Sequence, residues 1–239
     1  MLNFYKKNLH TESGVKNFIK TAANAVEILA SENAESLGYG RELLASHGGF
    51  WVISKIRFSV NEYPAENGEL VGETWPLPPG KIKTERQYRI KNSNGEILLN
   101  GASEWCILSI AERRPMRMES DVFSGGHEYL QEKSGAGEFS RIRPSYTAED
   151  FCYEREIIKE DIDINDHTNN KKYTEMVLNC FSDEYLNKKP ILSYELHFLR
   201  ETKVGDVISV YKYFQQDKTV VTGVCDEKVV FNSLIEFKE

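Results

Sequence analysis

The second half of this chain repeats the first. Ile53-Ser54-Lys55-Ile56-Arg57-Phe58 lead through an acidic stretch into Gly68-Glu69-Leu70-Val71. Leu192-Ser193-Tyr194-Glu195-Leu196-His197-Phe198 lead, after a slightly shorter interval, into Gly205-Asp206-Val207-Ile208. Each copy reads as a long strand, a glycine-acidic turn and another strand, and one amphipathic segment precedes each. Repetition at this scale implies two copies of one supersecondary unit. With 239 residues, the chain has room for one large domain or two small ones, since domains cluster near about 100–150 residues.

The amphipathic segments have a helical period. Val15, Phe18, Ile19, Ala22, Val26 and Leu29 fall three and four apart on one face, and Leu37-Gly38 supplies a C-terminal stop. Tyr173, Met176, Val177, Cys180, Phe181 and Tyr185 repeat that spacing, with Thr168 or Asn169 placed to cap the helix start. Strands are expected after the first helix at 50–60, 69–75, 84–91, 96–99 and 103–110, with Asn94-Gly95 as a hairpin turn. After the second they are expected at 192–199, 206–214, 219–224 and 229–237. The stretch 119–148, with Ser-Gly-Gly and Ser-Gly-Ala-Gly-Glu, has no period and reads as a linker between units at 1–118 and 149–239. One helix and four or five mostly antiparallel strands per unit make an α+β architecture, each sheet curling over its helix.

Composition narrows the function. A net charge of −7 repels a polyanion, which argues against nucleic acid as a partner. The four cysteines form no CxxC pair or ligand cluster, so neither a zinc site nor a disulfide framework is expected. The N-terminus lacks the apolar core of a signal peptide and no stretch reaches membrane-spanning length, so a cytoplasmic protein is expected, with no membrane partner. No phosphate-binding glycine loop, G-x-S-x-G or H-E-x-x-H occurs.

The densest polar signal is Asp161-Ile162-Asp163-Ile164-Asn165-Asp166-His167-Thr168-Asn169-Asn170, just before the second helix. Alternation puts Asp161, Asp163 and Asn165 on one side of the chain. His167 arrives near the helix N-terminus, where N–H groups can stabilise an oxyanion. Asn, Asp and Thr also serve caps and turns, so the residues alone leave the loop open between cap and active site. Glu201 ends the strand 192–199 region, and its interest lies in possible proximity to this loop. Arg113-Arg114-Pro115-Met116-Arg117 is a basic cluster suited to an acidic partner. Trp51, Trp75 and Trp105 fall in strands as core or pocket wall, and His10, His47, His127 and His197 have no organised partners in the sequence.

The run Asp163-Ile164-Asn165-Asp166-His167-Thr168-Asn169-Asn170-Lys171-Lys172-Tyr173 resembles the D-x-N-x-H-x-N-N-x-x-Y signature of acyl-ACP thioesterases, plant type and their bacterial relatives. Most of the chain follows the family pattern. Ala30 to Gly40, Trp51-Val52-Ile53-Ser54-Lys55, Tyr63-Pro64, Thr74-Trp75, Asn94-Gly95-Glu96 and Ser103-Glu104-Trp105 through Arg113-Arg114-Pro115 fall in the family's order. The resemblance implies two tandem hotdog domains, each a curved antiparallel sheet wrapped around one long helix. It implies hydrolysis of fatty acyl-acyl carrier protein without a cofactor, with the first domain supplying most of the acyl-chain pocket. Carried over by position, Asp163, Asn165, His167 and Glu201 are the catalytic set. Trp51, Asn169, Asn170, Arg113 and Arg114 are the expected substrate-binding residues. Thr202 stands where many members have cysteine, which removes a thiol nucleophile and favours attack by water. Glu201 as general base with His167 polarising the carbonyl is one assignment of roles, and the reverse is another. An acyl-CoA thioesterase of the same fold and a non-catalytic acyl-binding module are the alternatives. Two fused hotdogs already satisfy the pairing that single ones reach by dimerising, so a monomer and a homodimer of tandems are both compatible.

Overall fold

The computed structural model describes residues 3–118, 128–163 and 166–238. The first half runs β1 (Tyr5–Thr11), α1 (Val15–Ser36), α2 (Arg41–Ser46), β2 (Gly49–Val60), β3 (Gly68–Pro76), β4 (Lys83–Lys91) and β5 (Ile97–Ser109). The second runs β6 (Phe151–Glu156), α3 (Asn170–Asn179), α4 (Asp183–Lys188), β7 (Ile191–Phe198), β8 (Val207–Gln215), β9 (Lys218–Cys225) and β10 (Lys228–Phe237). All strands join one sheet in the order β1-β3-β4-β5-β2-β7-β10-β9-β8-β6. Read outwards from its middle, the order of the first half matches that of the second element for element. The α+β tandem hotdog architecture therefore consists of two copies of one unit joined edge to edge, with the equivalent strands β2 and β7 as the seam.

The helices pack on one face of this sheet. α1 buries Phe18, Ile19, Ala22, Val26 and Leu29, the stripe expected from its period, and burying a side chain of this kind contributes about 1.5–3 kcal/mol. It also touches α3 and α4 of the other half. The core is continuous across the seam, where Phe58 of β2 stacks on Tyr194 of β7 with ring centroids 6.0 Å apart.

The opposite face carries a different kind of contact. β2 and β7 pair antiparallel with Arg57 opposite Glu195, and alternation turns both side chains away from the helices. Arg57 Nη1 donates to Glu195 Oε2 at 2.5 Å, His197 Nε2 lies 2.6 Å from Glu195 Oε1, and the Ser140 N–H donates to that same oxygen at 2.8 Å. His197 therefore has an organised partner that the sequence did not disclose. Residues 128–147 carry no helix or strand and run across this face. Ser134 bonds to Gln87 and to the Gly101 carbonyl, Arg57 Nε donates to the Ala136 carbonyl, and the Ser145 N–H donates to Tyr213. Ile142 and Tyr146 cover a small apolar cluster of Tyr213, Val220 and Leu234.

Three differences from the sequence reading have local causes. The expected break between strands 96–99 and 103–110 is absent, and β5 is continuous. Gly101 is there for space: a Cβ on it would stand 3.2 Å from Tyr88 Cβ and 3.3 Å from the Phe58 ring. The second helix is two short helices rather than one long one, because the Ser182 hydroxyl accepts the Tyr185 N–H and starts α4 afresh. The edge strand β1 carries mostly exposed polar residues, and β6 has an exposed Phe151 at its start and exposed Glu154 and Glu156 further on, so neither has the apolar alternation that would reveal it.

Candidate active site

The loop before α3 is built by its backbone. The Asp163 N–H donates to the His167 carbonyl at 2.8 Å and the Asp166 N–H to the Asp163 carbonyl at 3.2 Å, with Asp166 in the left-handed region at φ 62°. Asp163 Oδ1 accepts the His167 N–H at 3.3 Å. The polar residue types of this segment thus close a tight turn that presents His167. Asn165 lies outside the described residues.

Two anchors hold the turn. Asp161, buried to 1% exposure, takes a hydrogen bond from Arg155 at 2.6 Å and faces Lys172 at 3.3 Å. Burial pushes its carboxyl up, but these cations and the Ile158 N–H outweigh that and leave it below the ordinary range. At the other end the Thr168 N–H donates to the Thr202 carbonyl at 2.9 Å, and Thr202 Oγ1 lies 2.7 Å from Thr168 Oγ1 and 2.9 Å from the Tyr173 hydroxyl. Thr202 ties the loop to the chain leaving β7, and so brings its neighbour Glu201 to His167. Nε2 of His167 is 3.1 Å from Oε2 of Glu201.

Arg113 meets the same carboxylate oxygen. Its guanidinium pairs with Glu201 Oε2 and lies over the Phe50 ring, 5.1 Å from the centroid. The basic cluster after β5 thus places its first arginine in the site itself, although the sequence suggested a docking patch. The cation comes from the first half, the histidine and glutamate from the second. Glu27 of α1 also faces the loop. Although much of this side chain is exposed, crowding of its carboxyl and then the charge of Asp163 push its pKa up.

Asn169 caps the start of α3, one of the two caps expected from the sequence. The Asn169 side chain accepts the Lys171 N–H at 3.1 Å and its carbonyl accepts the Lys172 N–H at 2.9 Å. These two donors are occupied by the cap, so they are not available to an oxyanion, and Asn169 Oδ1 is engaged as a helix cap. Asn170 is the first residue of α3.

Next to Phe50, Trp51 opens into a largely apolar cleft between the C-terminal half of α1 and the sheet. Ala30, Ala34, Leu37, Trp51, Pro76 and Trp105 line half of its wall, and the space within it and in the solvent at its opening is about 630 Å³. Trp75, in contrast, is core, 1% exposed, its indole N–H bonded to the Glu132 carbonyl at 2.8 Å.

A family model for the acyl-ACP thioesterase N-terminal domain matches residues 6–125, and one for the acyl-ACP thioesterase C-terminal domain matches residues 147–233. The chain belongs to the acyl-ACP thioesterase family. Oleoyl-acyl carrier protein thioesterase 1 of Arabidopsis thaliana is 26% identical over 208 residues, covering 80% of this chain and 57% of that protein. Palmitoyl-acyl carrier protein thioesterase of Cuphea hookeriana is 27% identical over 196 residues, covering 80% of this chain and 46% of that protein. The chain thus spans about half the length of these plant relatives, both described as chloroplastic. Two solved acyl-ACP thioesterase structures share the fold. One from Bacteroides thetaiotaomicron has a TM-score of 0.87 at 21% identity, covering 99% of this chain and 98% of the other. The 12:0-ACP thioesterase of Umbellularia californica has a TM-score of 0.85 at 17% identity, covering 100% of this chain and 98% of the other. Among the described residues of this family member, no helix is long and apolar enough to cross a membrane.

Proposed function

We propose that this chain hydrolyses the thioester of fatty acyl-acyl carrier protein, releasing a free fatty acid. The observation that carries the reading is the His167–Glu201 pair, with Arg113 on the glutamate and over Phe50, whose strand neighbour Trp51 lines an apolar cleft. Family membership supports the substrate class, and the acidic carrier protein is the expected partner, acting in the cytoplasm. Arg114 stands beside Arg113 as a candidate contact for it.

The geometry favours His167 as the base. His167 Nε2 lies 3.1 Å from Glu201 Oε2, which suits the Nε2-protonated tautomer and leaves Nδ1 to take a proton from water. Arg113 engages the same oxygen of Glu201 that faces His167, so Glu201 orients the imidazole rather than taking the proton from water itself. The water oxygen adds to the thioester carbon, His167 receives its proton, and the C–S bond breaks as that proton passes to the departing thiolate. Asp163 holds the turn. Asn165 enters through the resemblance, as the amide that would donate to the carbonyl oxygen.

Steady-state hydrolysis of an acyl-ACP series and matched acyl-CoAs tests this. His167→Ala and Glu201→Gln should each lower kcat by about 10²–10⁴, with unchanged far-UV dichroism. Activity within a few-fold of wild type in both variants would sink the assignment, and preference for the CoA series would replace the carrier protein as partner.

A further inference from the structure

Arg86 is the one cation in the wall of the apolar cleft, and it has no counter-ion among the described residues. Its side chain leaves β4 on the helix side, the same face as Tyr88 and Ile90, and Arg86 is 8% exposed. Nη1 donates to Asn33 Oδ1 at 2.7 Å and to Thr74 Oγ1 at 3.3 Å, both neutral and themselves buried. Tyr88 and Tyr129 are the titratable groups that face it, and burial before all else pushes each phenol up to about 12. They are therefore neutral at ordinary pH. Burial also pulls the guanidinium below its usual value. A guanidinium has five N–H donors in a fixed fork, and the protein's own acceptors meet only part of that fork.

We propose that this cleft selects acyl chains that carry an oxygen function towards their far end, with Arg86 as the residue that recognises it. The inference rests on the thioesterase reading for the identity of the thioester end. The oxygen must be distal. Arg86 pairs with Ser103 on β5, which pairs with Ile56 on β2, five residues along from Trp51. With strands about 4.8 Å apart and residues about 3.3 Å apart along a strand, the backbone anchor of Arg86 lies more than about 10 Å from that of Trp51, the wall residue that follows Phe50 beneath Arg113. An oxygen on the carbons next to the thioester would remain beside His167. A plain alkyl terminus seated against Arg86 would strip water from a charge and return no hydrogen bond, the situation in which sites built for a polar group reject the analogue lacking it.

Binding of the free acids separates this inference from the hydrolytic reading, because it needs no turnover. Quenching of Trp51 and Trp105 fluorescence is measured with saturated acids of increasing length, and with the same acids bearing a terminal hydroxyl or a terminal carboxylate. At the length that reaches Arg86, wild type should bind an oxygenated acid at least about tenfold more tightly than the plain one, the effect of one charge-assisted hydrogen bond. The hydroxyl and carboxylate arms decide which oxygen function the fork takes. Arg86→Met should abolish or reverse the preference, and Arg86→Gln should keep part of it. Plain acids binding best at every length in wild type would overturn the inference, and that comparison needs no variant to fold. A binding preference with no hydrolysis of the corresponding acyl-ACPs would leave it standing and sink the thioesterase reading instead.

Discussion

A single oxygen, Oε2 of Glu201, faces both His167 and Arg113. The Arg113–Glu201 pair is half exposed, with side chains 45% and 39% accessible, and a pair so placed contributes only about 0–1 kcal/mol to stability. Its effect should therefore lie in placement. Arg113→Met is expected to leave the melting temperature within a degree or two and to lower kcat by about 10–100-fold, the cost typical of a misplaced catalytic group. KM should change little, and Arg113→Lys should recover part of the loss. A variant that raised KM alone would return Arg113 to a docking role. The sequence could not have distinguished these roles. His167 and Glu201 are 34 positions apart and Arg113 lies 88 from Glu201, so only the tertiary fold brings the three together. The loop itself was visible because its polar residues sit tightly before a helix.

At the scale of elements, periodicity located what is half buried and missed what is not. α1 was legible from its apolar stripe, and the Asn94-Gly95 turn is formed with Gly95 at φ 86°. The edge strands β1 and β6 were not, because an edge strand with charged residues on its open side has no alternating pattern. β5 was misread because a glycine inside a strand signals either a break or a close approach, and only the neighbours decide. Here the neighbours are Tyr88 and Phe58. Gly101→Val should therefore destabilise the protein by about 1–3 kcal/mol through overpacking, despite valine's better strand propensity. A urea midpoint equal to or above that of wild type would show that the two rings can yield.

At the scale of the whole molecule, the halves are held by a shared apolar core on one face and by a buried charge cluster on the other. Burial pushes the Glu195 carboxyl up, but His197, Arg57 and the Ser140 N–H outweigh it and hold the group below the ordinary range. A carboxyl with a lowered folded-state pKa contributes stability that is complete above the unfolded value of about 4.3 and is lost as pH falls through the folded value. Glu195→Gln leaves Arg57, whose side chain is only 13% accessible, without its charged partner, at an expected cost of up to about 3–5 kcal/mol at pH 7. The gap between variant and wild type should close as pH drops below about 4. Chemical denaturation at pH 7, 5, 4 and 3 checks this, and a gap independent of pH would mean that Glu195 acts through shape alone.

The matching strand order of the two halves has a consequence for how such a protein can change. In a symmetric dimer of one unit, every substitution is made in both copies, so a turn suited to chemistry would appear twice. Here α1 begins at Gly14 without a side-chain cap, while its counterpart α3 begins at Asn169 behind the Asp163–His167 turn. Covalent fusion has freed the two helix starts to diverge. Substitutions around Trp51 and Arg86 can accumulate in the first half while the second keeps its loop, so what the molecule accepts and what it does to it are open to separate selection.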